Sequence, residues 1–91
     1  MIINYLNSYD RSFKKIGKPV KEKAIYAINA LLRFLETRQK PKGLGLKKVY
    51  KGYWEIRLDI KNRIIFQAHG ETINIIFVGD HNAIKAFLRN I

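Results

Sequence analysis

Cysteine is absent from the 91 residues, which removes disulfides, thiolate nucleophiles and cysteine-ligated zinc together. Acid is scarce: seven Asp and Glu face eighteen Lys and Arg, a net charge of +11. Long apolar runs are missing as well. The longest, Ala24 to Ile28, has five residues, against the ~20 that a membrane-spanning helix needs. The opening Met1-Ile2-Ile3-Asn4-Tyr5 has neither the basic start nor the apolar stretch of a signal peptide. No repeat, low-complexity tract or linker divides the chain, and no Walker loop, dinucleotide fingerprint or Ser-His-Asp pattern occurs. These absences predict a soluble, cytoplasmic protein of a single domain, residues 1–91, with no membrane partner and no cofactor.

What is present suffices for a core. Apolar residues make up 47% of the chain and aromatics 12%, too much for a disordered basic tail. Residues 2–6 alternate weakly and predict a short strand. Ser8 is a candidate N-cap for a first helix carrying Phe13 and Ile16 and ending at Gly17-Lys18-Pro19. Val20, Ala24, Ala27, Ile28, Leu31, Phe34 and Leu35 then recur at spacings of three and four, predicting an amphipathic helix with Lys21, Glu22, Lys23 and Arg33 on its far side. It should stop before Pro41-Lys42-Gly43.

From Leu44 the period changes to two. Leu46–Tyr50 and Tyr53–Ile60 are strand candidates joined at Lys51-Gly52. A turn at Lys61-Asn62 leads into Arg63–Ala68, and one at His69-Gly70-Glu71 leads into Thr72–Val78. The last two are apolar on both faces, which places them centrally in the sheet. Asp80 is the expected N-cap of a terminal helix facing inward through Ile84, Phe87 and Leu88. The order predicts an α+β domain, β-α-α-β-β-β(β)-α, its antiparallel sheet covered on one face by the two N-terminal helices. Ala24, Ile28, Leu31, Leu35, Ile56, Leu58, Ile64, Phe66, Ile75 and Phe77 should share one core.

The positive charge is concentrated. Nine basic residues lie between Arg38 and Arg63, opposed only by Glu55 and Asp59, a net of +7 in 26 residues. A phosphate backbone is the commonest partner offsetting such self-repulsion, with an acidic protein or a merely solubilising surface as the alternatives. Lys47, Lys48 and Lys51 are the expected phosphate contacts. In Tyr53–Asp59, alternation puts Trp54, Ile56 and Leu58 on the core side and Tyr53, Glu55, Arg57 and Asp59 on the other, with Glu55 and Arg57 about 6–7 Å apart. Arg63 opens the next strand at the rim of that hairpin. Exposed cross-strand ion pairs would explain these residues equally well, but too little acid is present to neutralise the arginines. His69 reads as a solvated turn residue. His81, at the start of a helix, is either a helix-terminal polar group or a proton donor beside a bound anion. Two separated histidines without Cys or carboxylate spacing predict no metal site.

The run Leu46-Lys47-Lys48-Val49-Tyr50-Lys51-Gly52-Tyr53-Trp54-Glu55-Ile56-Arg57-Leu58, with Asn62-Arg63-Ile64-Ile65-Phe66 and Ile75-Ile76-Phe77-Val78-Gly79-Asp80-His81, resembles the RelE/ParE superfamily, the toxins of bacterial type II toxin–antitoxin modules. The likeness spans the whole chain. It implies the RelE-like microbial ribonuclease fold and a ribosome-dependent endonuclease that cuts mRNA in the ribosomal A site without metal. The ribose 2′-OH would attack the adjacent phosphate, leaving a 2′,3′-cyclic phosphate and a 5′-OH. Such chemistry needs a base, cations around the phosphorane and an acid for the leaving oxygen.

By the resemblance, Arg63 stabilises the phosphorane, Arg57 serves proton transfer or charge stabilisation, and His81 protonates the leaving group. Loss of Arg63 would then cost rate and little stability. Glu55 stands where RelE has a lysine, so it is either the base or an anchor for Arg57. Lys47, Lys48, Lys51, Tyr53 and Lys61 would contact RNA. A tyrosine that several members carry just after the His81 position is replaced here by Asn82-Ala83-Ile84-Lys85, leaving stacking to Tyr53 or Trp54. The implied partners are mRNA and a cognate antitoxin, bound as a hetero-oligomer over the basic sheet face or in place of the last helix. Two alternatives stay open: a ParE-like gyrase inhibitor without nuclease activity, and a non-catalytic RNA-binding domain.

Overall fold

The apolar stripe of the long helix has to be buried, and the sheet supplies the surface that buries it. The computed structural model describes residues 1–39, 43–49 and 52–90. In chain order these form β1 (Ile2–Tyr5), α1 (Asn7–Lys15), α2 (Lys18–Thr37), β2 (Gly45–Lys48), β3 (Trp54–Arg57), β4 (Asn62–His69), β5 (Thr72–Asp80) and α3 (His81–Arg89). The sheet order is β1-β5-β4-β3-β2, so β4 and β5 are central, as their two apolar faces predict. The expected α+β architecture holds, but the sheet is mixed. β2 to β5 form an antiparallel meander, whereas β1 pairs parallel to β5. Among the described residues no helix is long and apolar enough to cross a membrane.

Both faces of the sheet are packed. On one, Ala24, Ala27, Ile28 and Leu31 of α2 and Tyr9 of α1 meet Ile56, Ile64, Phe66, Ile73, Ile75 and Val78, with Leu35 and Leu58 at the margin. On the other, Ile84, Phe87 and Leu88 of α3 meet Ile65, Ile76 and Phe77. Phe77 therefore does not join the first core, where strict alternation from Ile75 would put it. The β4–β5 register shifts between Ile65 and Phe66: Phe66 faces Ile75, but Ile65 faces Phe77. Ile76 is the extra residue of this bulge, and a bulge inverts the facing of everything beyond it. Phe77 then stacks on Phe87 at 4.6 Å between centroids, and Gly79 comes to lie opposite Arg63.

Ser8 is not an N-cap. Leu6 occupies that position without a side-chain cap bond, and the Ser8 hydroxyl donates to the carbonyl of Ile76 at 2.5 Å. β1 pairs with Thr72–Ile75, and among the described residues the outer edge of β5 beyond Ile75 has no strand neighbour. α1 fills the gap with two serines one turn apart. The Val78 N–H donates to Ser12 Oγ at 3.0 Å, and that hydroxyl donates to the Tyr9 carbonyl. Ser12 is buried, so Ser12→Ala should strand the Val78 N–H and cost about 1–3 kcal/mol. A shifted urea midpoint at unchanged slope would show it; an unmoved midpoint would mean that water takes the place of the hydroxyl.

β3 is shorter than expected, because the chain leaves the sheet at Arg57 and turns through Leu58–Lys61. Asp59 forms this turn. Its Oδ1 accepts from the backbone N–H of Lys61 (2.9 Å) and of Asn62 (2.7 Å), and its Oδ2 meets Lys23 Nζ of α2 at 3.1 Å. β2 is described over Gly45–Lys48; Tyr50, expected to end it, and Lys51, expected in the following turn, lie outside the described residues. α2 ends at Thr37, with Arg38 left-handed at φ 64°.

Candidate nucleic-acid interface and catalytic site

Register places four of the sequence-predicted residues, Lys47, Glu55, Arg57 and Arg63, in two rows on the sheet face that α3 partly covers. Gly45, Arg57, Arg63 and Gly79 line up across β2, β3, β4 and β5, and Lys47, Glu55, Ile65 and Phe77 form the next row. Two arginines thus stand side by side with a glycine on each flank. Space is tight at both glycines. A Cβ on Gly45 would come within 3.0 Å of the Arg57 Cβ, and one on Gly79 would meet the Ala83 Cβ at 3.0 Å and the Phe77 ring at 3.2 Å. Sequence reasoning missed both as parts of the site. Neither lies inside a strand that the pattern predicts (Leu46–Tyr50 and Thr72–Val78), so only the register reveals them.

The two arginines differ. Arg63 is largely buried, its side chain 14% exposed, and its Nε meets Glu55 Oε1 at 3.1 Å. Its Nη1 donates to the carbonyls of Asp59 (2.6 Å), Asn62 (3.1 Å) and Ile60 (3.3 Å). Glu55 therefore anchors Arg63 rather than Arg57, and Arg63 ties the β3–β4 turn together whatever else it does. Its loss cannot be neutral for stability, contrary to what the resemblance implies. Arg57 is exposed, with a single long bond from Nε to the Asp59 carbonyl at 3.4 Å. Of the pair, Arg57 has the guanidinium that can turn to a ligand, while Arg63 presents a fixed charge.

His81 is exposed at the first position of α3, next to Asp80, whose side chain caps the helix by accepting from the Ala83 N–H at 2.8 Å. Asp80 pairs with Asn62, so His81 follows directly from the end of the arginine row. Among the described residues it makes no hydrogen bond to Glu55, Arg57 or Arg63. Lys47 is exposed beside Glu55. Tyr53 is half-buried against the α3 cluster. Lys61 is exposed on the turn. Lys48 pairs with Trp54 on the opposite face, so the structure separates it from Lys47. Lys51 lies outside the described residues.

The Asp59 carboxyl is held well below the usual carboxylate range. Burial opposes ionisation, but the Asn62 N–H, the Lys23 ammonium, the Asn62 amide and the Lys61 N–H outweigh it. A depressed native pKa stabilises the fold above the unfolded value of about 3.9, and this contribution is lost as pH falls below it toward the native value. Asp59→Asn should therefore flatten the acid dependence of the urea midpoint from about pH 5 down to about pH 2.5. Parallel curves for the two proteins would contradict it.

No protein-family model matches the chain, and no curated protein sequence matches it. Its architecture does match solved structures. A chain of the RelB–RelE antitoxin–toxin complex from Methanococcus jannaschii superposes with TM-score 0.72 at 17% identity, over 92% of this chain and 96% of that one. A chain of the E. coli DinJ–YafQ complex gives 0.72 at 17%, over 90% and 94%. The YoeB/ParE toxin from Agrobacterium tumefaciens gives 0.62 at 21%, over 89% and 99%. The protein has the RelE-like toxin fold.

Proposed function

We propose that this chain is the toxin of a type II toxin–antitoxin module: a single-domain, cytoplasmic endoribonuclease that cuts mRNA in the ribosomal A site. The observation that carries the reading is the Gly45–Arg57–Arg63–Gly79 row, with Glu55 beside it and His81 at its end. A phosphodiester laid on this row meets two cations with no side chain between them and the flanking strands. Arg63, fixed by Glu55 and three carbonyls, is preorganised for the charge that grows on the phosphorane, and preorganised charge costs no reorganisation during reaction. Arg57 closes on the phosphate from solvent. The reaction needs no metal in this reading, because the nucleophile is the substrate's own 2′-OH. Its proton goes to Glu55, whose second oxygen has no partner among the described residues. His81 protonates the departing 5′-oxygen.

The net charge of +11 supports an acidic antitoxin as the resting partner, and two of the similar structures are antitoxin complexes. Incubation with ribosomes carrying a defined mRNA is the test. Cleavage within the A-site codon, leaving a 2′,3′-cyclic phosphate, is the expected result. Intact mRNA together with gyrase-dependent DNA breaks would give the gyrase reading instead. RNA binding without cleavage would leave a binding domain.

A further inference from the structure

We propose that a cavity on the far side of the α3 start is a second nucleotide subsite, in which Arg11 and Lys15 hold the RNA chain after it leaves the arginine row. The inference rests on the RNA reading above. The cavity has a volume of about 390 Å³ between α1, α3 and the C-terminal half of β5, within the ~300–1,000 Å³ range of ligand pockets. It adjoins the candidate site through shared backbone, although Glu55, Arg57, Arg63 and His81 do not line it. Asn62, Gly79 and Asp80 line it; Asn62 precedes Arg63, Gly79 faces Arg63, and Asp80 precedes His81. An RNA strand laid along the arginine row and carried on past Gly79 would reach this opening.

The lining suits a nucleotide. Phe77 and Phe87 provide apolar walls for a base. Arg11 and Lys15 are one helical turn apart on α1 and exposed, and among the described residues neither has an ion pair or side-chain hydrogen bond. Like charges at this spacing oppose each other, and a phosphate between them removes the repulsion. The one acid in the lining, Asp80, is turned to the Ala83 N–H. Charge favours RNA over an acidic protein segment only in combination with this adjacency, so the test separates the two.

The probe is a fluorescein-labelled oligoribonucleotide with 2′-O-methyl sugars, which cannot be cleaved, in trinucleotide and hexanucleotide lengths. Wild type should bind the hexanucleotide more tightly than the trinucleotide. In Arg11→Ala/Lys15→Ala this length advantage should vanish, with hexanucleotide affinity down ~10-fold and the salt slope reduced by about 1.4, the value for two lost phosphate contacts on a single strand. Arg33→Ala/Arg89→Ala removes the same charge elsewhere and should keep the length advantage. Equal losses in both double variants would mean diffuse attraction and overturn the subsite. Unchanged hexanucleotide binding in Arg11→Ala/Lys15→Ala would overturn it while leaving the nuclease reading intact; if that variant also lost its acidic protein partner, the cavity would be a protein site. Failure of wild type to bind either length would bring down the RNA reading and the subsite together.

Discussion

Arg57→Ala and Arg63→Ala should separate rate from stability, although both remove a guanidinium from the same row. Arg57 is exposed and holds one bond at 3.4 Å, so its loss should shift stability by less than ~0.5 kcal/mol. The cleavage rate should fall by about 10²–10³, the scale of removing one preorganised donor from a developing anion. Arg63→Ala should cost about 2–4 kcal/mol, because it leaves the Glu55 carboxylate half-buried and unpaired and frees three carbonyls of the turn. In a domain with ~5–15 kcal/mol in total, part of any lost activity would then reflect unfolding. Chemical denaturation and single-turnover cleavage, measured on the same preparations, assign the two effects. Equal stabilities for the two variants would mean that the Glu55–Arg63 pair is held too loosely to matter.

His81→Ala should lower single-turnover cleavage by about 10²–10⁴, the contribution of one general acid. His81 is exposed and contributes nothing to either core, so the folded protein should be indistinguishable from wild type in denaturation. His81→Gln can still donate a hydrogen bond to a phosphate oxygen but has no proton to give to the leaving group. It should resemble the alanine variant in rate. Glutamine activity near wild type would reduce His81 to a hydrogen-bonding residue.

The parts of this fold that were legible are those in which a local period reports burial. Seven apolar positions from Val20 to Leu35 fixed α2, and the switch to period two fixed the strands. Gly79-Asp80 marked the start of α3. What stayed hidden depends on partners distant in sequence. The bulge at Ile76 arises from how β4 and β5 fit together, and nothing in Ile75-Ile76-Phe77 announces it. Ser8 looks like a cap because caps are local, whereas its bond is to a residue 68 positions away. Asp59 shares the parity of Glu55 and Arg57, which predicts a strand residue, yet a carboxylate two and three residues before free N–H groups favours a turn. For the site, the residue types were legible and their division of labour was not. Which arginine is fixed and which is free follows from the turn carbonyls, and these are set by the backbone path.

The parallel pairing of β1 with β5 constrains when the arginine row can assemble. Asn4 reaches Asn74 across 70 positions, and the arginine row itself draws on strands from Gly45 to Gly79. A nascent chain still lacking Thr72–Asp80 has nowhere to seat its first strand, no surface for α3 and no flank for Arg63. Pairings of such long separation form late. The arginine row is therefore assembled only after β5 has been made, so a chain cut before Thr72 should hold neither the row nor either packed face of the sheet.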